Sequence, residues 1–368
     1  MLGEWYIPGT PEPEQPDWFK ESIVAWYSPC KQKLTNYDVI ESYIIDFTTF
    51  NNRDDAIINN NKFVFTGKVI VGINYERIQV EKYNSYKILI KGLTGSIYYY
   101  YRNADGVENH IIFNKDGVYD IPVSYKQGTE GVIMGYTCNS TTKCTVTQLP
   151  TSILKDFSGN KHDAYLYGFK GKLNSGVGIY AQDFKNWSYG STINNDISTK
   201  SYNKFHKDIE IDVELIADYP NQLCYDGKSY AVAYGLPILT DYTVIADRTW
   251  FAEKVDDGVF MSKALEQNGA FILEYKQGDK WNTYSYCSAT NINIDKDNSI
   301  VYQTKNKYNE QTIYPGDKQD TDTLFIGTIG KDDLRSFIGC HSDILLFNRT
   351  LTEYEISWVK NNLMCSKP

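Results

Sequence analysis

"SDILLFNRTLTEYEISWVKNNLM", residues 342–364, changes its period halfway along. Its first part, "SDILLFN", is a short apolar run and reads as a strand. From Leu351 onward the apolar residues Leu351, Ile356, Val359 and Leu363 fall along one helical stripe. Thr352, with Glu355 three residues later, has the spacing of a capping box. The stretch predicts a strand that hands over to a helix, and "FNRTLTEYEI" is the exit. Elsewhere the dominant pattern is that of strands, so a single C-terminal helix is expected to close an otherwise β protein.

The composition agrees. The chain has 368 residues, with 31 Tyr and 16 Phe against 11 Pro and 4 Met. Runs rich in Val, Ile, Tyr and Phe recur between Gly, Asn and Asp clusters, as in "KFVFTGKVIVGI", "YKILIKGL", "SIYYYYRN", "HIIFNKDGVYDIPV" and "EGVIMGYTC". "RNADGVEN" and "NKDGVY" supply Asp-Gly turns for meanders and hairpins. Residues 41–150 therefore read as a β-sandwich of ordinary size. The second half continues with "KSYAVAYGL", "YTVIADRTWF", "AFILEY", "NTYSYCSA" and "TLFIGTIG". "YIIDFTTFNN" (43–52) is echoed by "YAQDFKNWSY" (180–189), which suggests a shortened second insertion over 178–217.

Four of the eleven prolines, Pro8, Pro11, Pro13 and Pro16, fall within residues 1–22. Proline fixes φ and donates no hydrogen bond, so this segment is expected to be an extended arm. Trp5, Tyr6, Trp18 and Phe19 flank the prolines as candidate anchors for docking on another protein; a disordered terminus is the alternative.

The formal net charge is -9, with acids scattered throughout and no long Lys/Arg stripe, which argues against nucleic acid as a main partner. The start lacks a basic stretch followed by an apolar one, and no run reaches the ~18 apolar residues of a membrane helix. The expectation is a chain without export signal or membrane insertion. Seven cysteines, an odd number, imply no complete disulfide framework. Cys138 and Cys144 are close enough to bridge a hairpin, but without an export signal they are expected to be thiols. The four histidines stand apart and no C-x-x-C occurs, so no zinc site and no cofactor are expected. "DKDNS" (295–299) resembles the start of a calcium loop but has Ile300 where glycine is needed, and reads as an Asx turn. Structural calcium elsewhere stays open.

Four stretches together resemble the concanavalin A-like lectin/glucanase superfamily, in particular its laminin-G-like jelly rolls: "SIVAWYSPCKQKLTNYD" (22–38), "LKDFSGNKHDAYLYGF" (154–169), "CYDGKSYAVAYGLPILTDYTVIADRTWF" (224–251) and "LFIGTIGKDDLRSFIGCHSDILLFNRTLTEYEISWVKNNL" (324–363). The resemblance implies an all-β jelly-roll sandwich over 23–40 plus 151–368, with the 41–150 module inserted and one C-terminal helix. "WYSPCKQKLTNYDVI" and "GLPILTDYTVIADRTW" are similar to virion surface proteins of Bacteroidales phages, including crAss-like phages. That implies a non-enzymatic head-fibre, decoration or tail-fibre component on the virion surface, made in the host cytoplasm. Its partners would be other virion proteins, further copies of itself as a dimer or trimer, and cell-surface or mucus glycans. A cell-surface glycan-binding protein of a gut bacterium is one alternative, and a family-sixteen-like glucan hydrolase is another. No catalytic residue is carried over.

Two stretches carry candidate chemistry. In "DIEIDVEL" (208–215), Glu210, Asp212 and Glu214 share one strand face, a spacing that resembles the motif of family-sixteen glycoside hydrolases. The aliphatic residues Ile209, Ile211, Val213 and Leu215 fill the other face, which is the pattern of an ordinary half-exposed strand. In "SIYYYYRN", Tyr98 and Tyr100 lie on one side of a strand and Tyr99 and Tyr101 on the other, so one pair is core and the other faces outward. These four, with Trp187 and Tyr189, are the candidate glycan contacts.

Overall fold

The computed structural model describes residues 13–34, 56–59, 62–66, 76–79, 85–102, 107–122, 124–125, 130–133, 135–138, 142–169, 222–250, 257–265, 268–295, 298–330 and 337–365. The chain falls into two compact units, one made of Met1–Glu41 with Ser152–Pro368 and the other of Ser42–Thr151. Antiparallel strands dominate both, and the described helices are Asp17–Ser22, Pro29–Gln32 and Glu353–Asn362.

The first unit is a sandwich. One sheet orders its strands as Ile23–Tyr27, Ile338–Phe347, Thr243–Trp250, Ile300–Thr304, Lys307–Tyr308 and Gln311–Thr312, with Leu223–Asp226 also paired to Ile338–Phe347. The other runs Ile153–Leu154, Ala164–Tyr167, Tyr230–Ala233, Leu324–Ile326, Asp257–Leu265, Asn268–Gln277, Lys280–Ser285 and Ser288–Ile292. Alternation sends Leu223, Tyr225, Val244, Ala246, Ile344 and Leu346 of the first sheet into one core with Ala164, Leu166, Ala231, Ala233, Leu324 and Ile326 of the second.

The opposite face of the first sheet is also apolar. Trp26, Ile245, Leu345 and Phe347 meet Leu351, Ile356, Val359 and Leu363 of the C-terminal segment in a second cluster. This explains why Ile338–Phe347 is buried along its whole length and why its end, Ile344–Phe347, is continuously apolar rather than alternating. The cap expected at Thr352 is present. Its hydroxyl accepts from the Glu355 amide at 3.3 Å, and the Glu355 carboxylate accepts from the Thr352 amide at 2.8 Å.

The segment 154–169 holds the sandwich's edge through one carboxylate. Asp156 accepts from the amides of Trp26, Ser158 and His162 at 2.9 Å each, and from the Ser158 hydroxyl at 2.8 Å. Gly159 follows with φ +91°, in the left-handed region.

The second unit contains a five-stranded sheet, Ala56–Asn59, Lys62–Thr66, Lys143–Leu149, Ser85–Thr94 and Gly117–Pro122. Two three-stranded sheets accompany it: Gly135–Cys138 with Ile97–Arg102 and Glu108–Phe113, and Glu76–Gln79 with Glu130–Ile133 and Ser124–Tyr125. "NKDGVY" is not a hairpin turn as expected. The strands on either side of it pair in different sheets, Glu108–Phe113 with Ile97–Arg102 and Gly117–Pro122 with Ser85–Thr94. Asp116 instead accepts from the amides of Gly92 and Leu93, at 2.8 and 2.7 Å. A corner between sheets is made where the sequence alone suggests a reversal within one.

Two further expectations are corrected. The end of the N-terminal arm is not extended: after Pro16 (φ -59°, ψ 156°), Asp17–Ser22 is helical, so the C-terminal helix is not the only one. The helix forms because it lets Phe19 enter the apolar layer beside Trp26 and Phe347. In addition, Cys30 and Cys365 are joined by a disulfide with their Cα atoms 6.5 Å apart, across a sequence separation of 335. Such a pair has no local spacing to reveal it. Cys144 is buried; the side chain of Cys138 lies outside the described residues.

Candidate functional site

The outward face of Ile97–Arg102 and Glu108–Phe113 carries an aromatic surface among the described residues. Ile97 and Tyr99 are fully buried and Phe113 nearly so, which anchors the inner face of this pair of strands. The alternation then turns Tyr98 and Tyr100 the other way, where both are half-buried. Across the ladder Tyr98 stands opposite Ile112 and Tyr100 opposite His110. His110 is exposed, and its ring centroid lies 6.3 Å from that of Tyr98 and 5.8 Å from that of Tyr100. Ile112 completes the strip with half of its surface exposed.

The strip is borne on paired strands rather than loops, so its spacing is set by the ladder: Tyr98 and Tyr100 are about 6.8 Å apart along the strand. Planar rings with polar tips on such a base suit stacking against an apolar ligand face and hydrogen bonding to hydroxyl groups at its rim. Of the four tyrosines expected as contacts, Tyr98 and Tyr100 share this outward face, and Tyr99 and Tyr101 share the opposite one. Tyr99 is core, and Tyr101 lies parallel to it at 6.1 Å and 9°. His110, which stands alone in the sequence, is brought in by register.

Residues Trp5, Tyr6, Trp187, Tyr189, Glu210, Asp212 and Glu214 lie outside the described residues. Trp18 and Phe19, expected to dock on a particle, pack internally instead. Phe19 is 1% exposed, and Trp18 sits edge-on to Trp358 at 5.7 Å. Phe19 belongs to the protein's own second cluster, and the partly buried Trp18 packs against it.

The ionic groups inside the sandwich are chemically closed. Glu274 takes four hydrogen bonds: from Arg248 through Nε at 2.7 Å and through an Nη at 2.5 Å, from Trp250 at 2.9 Å and from Tyr308 at 2.5 Å. Burial pushes its carboxyl up, but the adjoining Arg248 guanidinium and these bonds hold it below the usual carboxylate value. Lys263 donates to Asp320, to the Thr321 carbonyl and to the Pro237 carbonyl, while Asp320 accepts from the amides of Leu239 and Ala270. Burial is the largest effect on the Lys263 amine and lowers it, against the pull of Asp320. Both clusters are buried pairs with their strong acceptors engaged; the Glu274 cluster ties strands of the two sheets together, and the Lys263–Asp320 cluster fastens loops to strands.

No group of three or more His, Cys, Asp or Glu able to hold a metal occurs among the described residues. Asn298 accepts from the Ile300 amide at 3.0 Å, so "DKDNS" contains the expected Asx turn. No helix among the described residues is long and apolar enough to cross a membrane.

No family model matches the chain, and no curated protein matches it. Among solved structures it is similar to Trypanosoma rangeli sialidase in complex with the inhibitor DANA, at 10% identity and TM-score 0.30, over 83% of this chain and 61% of that one. It is similar to a mutant GH54 α-L-arabinofuranosidase soaked with a nitrophenyl arabinofuranoside, at 12% identity and TM-score 0.35, over 83% and 63%. A third likeness is to domain 4 of the GH43 arabinanase AbnA from Geobacillus stearothermophilus bound to arabinotriose, at 10% identity and TM-score 0.24, over 37% and 74%. The chain thus spans less than two thirds of the sialidase and arabinofuranosidase chains. The expectation of a non-enzymatic protein is overturned by these matches, since they include glycoside hydrolases, and catalysis is no longer excluded. At such scores and identities they assign no reaction to this chain.

Proposed function

We propose that the protein binds carbohydrate at a biological surface, using the outward strip of Tyr98, Tyr100, His110 and Ile112. The observation that carries this reading is the strip itself: an open face of aromatic and apolar side chains held at fixed spacing by paired strands. A two-ring platform is a weak site alone, so useful avidity calls for several copies on one support. The resemblance of residues 22–38 and 224–251 to virion surface proteins of Bacteroidales phages supports a phage particle as that support, with the chain as a fibre or decoration protein.

The test is a glycan array followed by titration calorimetry on the best ligand. Replacing Tyr100 with Ala is expected to weaken binding about tenfold, or ~1.4 kcal/mol, with the melting temperature unchanged. Binding that survives Tyr98→Ala/Tyr100→Ala intact removes the strip as the site. Mass spectrometry of purified particles tests the setting separately, because absence of the chain there rules out the virion while leaving carbohydrate binding standing.

The Cys30–Cys365 disulfide favours a second setting. Such bonds persist on cell surfaces as well as on virions, which supports a surface glycan-binding protein of the bacterium. Protection of the chain from protease added to intact cells would count against it.

A further inference from the structure

Cys224 and Cys340 stand directly opposite each other on the antiparallel strands Leu223–Asp226 and Ile338–Phe347. Leu223 and Tyr225 point into the sandwich core, so alternation turns Cys224, and Cys340 with it, to the other face of the sheet. Both side chains are fully buried. The two thiols lie in hydrogen-bonding contact, and the Cys340 Sγ also meets the Gln222 side-chain oxygen. Directly opposed residues in an antiparallel ladder have Cα atoms about 4.5 or 5.5 Å apart. Both values fall within the ~4.4–6.8 Å that a disulfide spans.

We propose that Cys224 and Cys340 form a second disulfide, closed during folding by exchange with a small-molecule or protein disulfide. One cysteine thiolate attacks the external disulfide, forming a mixed disulfide and releasing one thiol. The other cysteine then attacks the protein sulfur of that mixed bond and releases the second thiol. The two cysteines together lose two protons and two electrons, and the external disulfide is reduced to two thiols. Closure has to precede completion of the fold, because in the finished structure neither sulfur is accessible.

The position gives the bond a purpose. Ile23–Tyr27 and Leu223–Asp226 are short strands that pair with successive parts of Ile338–Phe347, at residues 344–347 and 338–341. The first is followed at once by Cys30, bridged to Cys365 just beyond the C-terminal helix. A Cys224–Cys340 bond fastens the second short strand to the same long one. Each short strand then has a covalent staple against peeling from the sheet, which suits a protein that works outside a reducing cytoplasm.

The test is peptide mapping of the full chain after refolding from denaturant in an oxidising glutathione buffer, followed by alkylation under denaturing conditions without reductant. The expected result is a linked peptide containing Cys224 and Cys340 that dithiothreitol separates. Of the seven cysteines, two bridges leave three to be alkylated, against five if only Cys30–Cys365 forms. Alkylation of both Cys224 and Cys340 overturns the proposal, whatever the state of Cys30 and Cys365. Linkage of either to a different cysteine also overturns it.

Discussion

His341 and Asp343 are two residues apart on one fully buried strand, and burial moves them in opposite directions. Burial lowers the His341 imidazole from 6.5 to about 4, while its contact with the Ser342 carbonyl works the other way. Burial raises the Asp343 carboxyl from 3.8 to about 6, opposed by hydrogen bonds that include the Cys365 amide. Linkage gives the signs. The contribution of His341 is present above pH 6.5 and is lost as pH falls towards about 4. That of Asp343 is present below pH 3.8 and is lost as pH rises through about 6. Across the shared window the two slopes oppose each other. His341→Gln is therefore expected to melt at progressively lower temperature from pH 4 to pH 6, and Asp343→Asn at progressively higher temperature, with the native protein flatter than either. Differential scanning fluorimetry at three pH values checks this, and equal slopes in all three proteins would dismiss it. Neither residue is conspicuous in the sequence, since the shifts arise from what covers the strand.

At the scale of elements, the C-terminal helix was legible from Thr352, Glu355 and the apolar stripe because its signals are local. Arg349 adds a bidentate pair to Glu355, at 2.7 and 2.9 Å, and holds that carboxyl down at about 2. Replacing Thr352 with Ala removes one half of the capping box and is expected to cost about 1 kcal/mol. In a unit of this size that corresponds to a fall of roughly 2–4 °C in melting temperature, measurable by circular dichroism; no change would mean that Arg349 and Glu355 hold the helix start without the hydroxyl. The strand "SIYYYYRN" was half legible. Its alternation separates Tyr98 and Tyr100 from Tyr99 and Tyr101, but only the inward packing of Ile97, Tyr99 and Phe113 decides which pair faces out. The turn at Asp116 was misread because Asp-Gly chemistry specifies a reversal and not the sheet that the next strand joins.

At the scale of the whole molecule, the first unit is assembled from two distant pieces of chain, and its own contacts bring them together. Gln32 donates to the Ile153 carbonyl at 2.9 Å and accepts from the Lys155 amide at 2.8 Å. The Tyr27 hydroxyl donates to the His162 carbonyl at 2.6 Å. The described chain before and after the segment 42–151 is therefore in direct contact, at Gln32 with Ile153 and Lys155, and replacing that segment with a short Gly-Ser linker is expected to leave a sandwich that melts cooperatively and retains the Cys30–Cys365 bond. A shortened chain that aggregates or melts without cooperativity would show that the first unit cannot stand alone.

The sequence by itself determined that this is a β protein closed by a C-terminal helix, because period, turn residues and caps act over a few positions along the chain. It also marked the aromatic run from which the outward strip is built. The tertiary structure decided the rest. It paired Cys30 with Cys365, placed His110 beside Tyr98 and Tyr100, buried Phe19 within the molecule and set Cys224 against Cys340. Each of these depends on which distant strands lie side by side, and register over tens or hundreds of residues is set by how the faces pack, not by any residue's own preference.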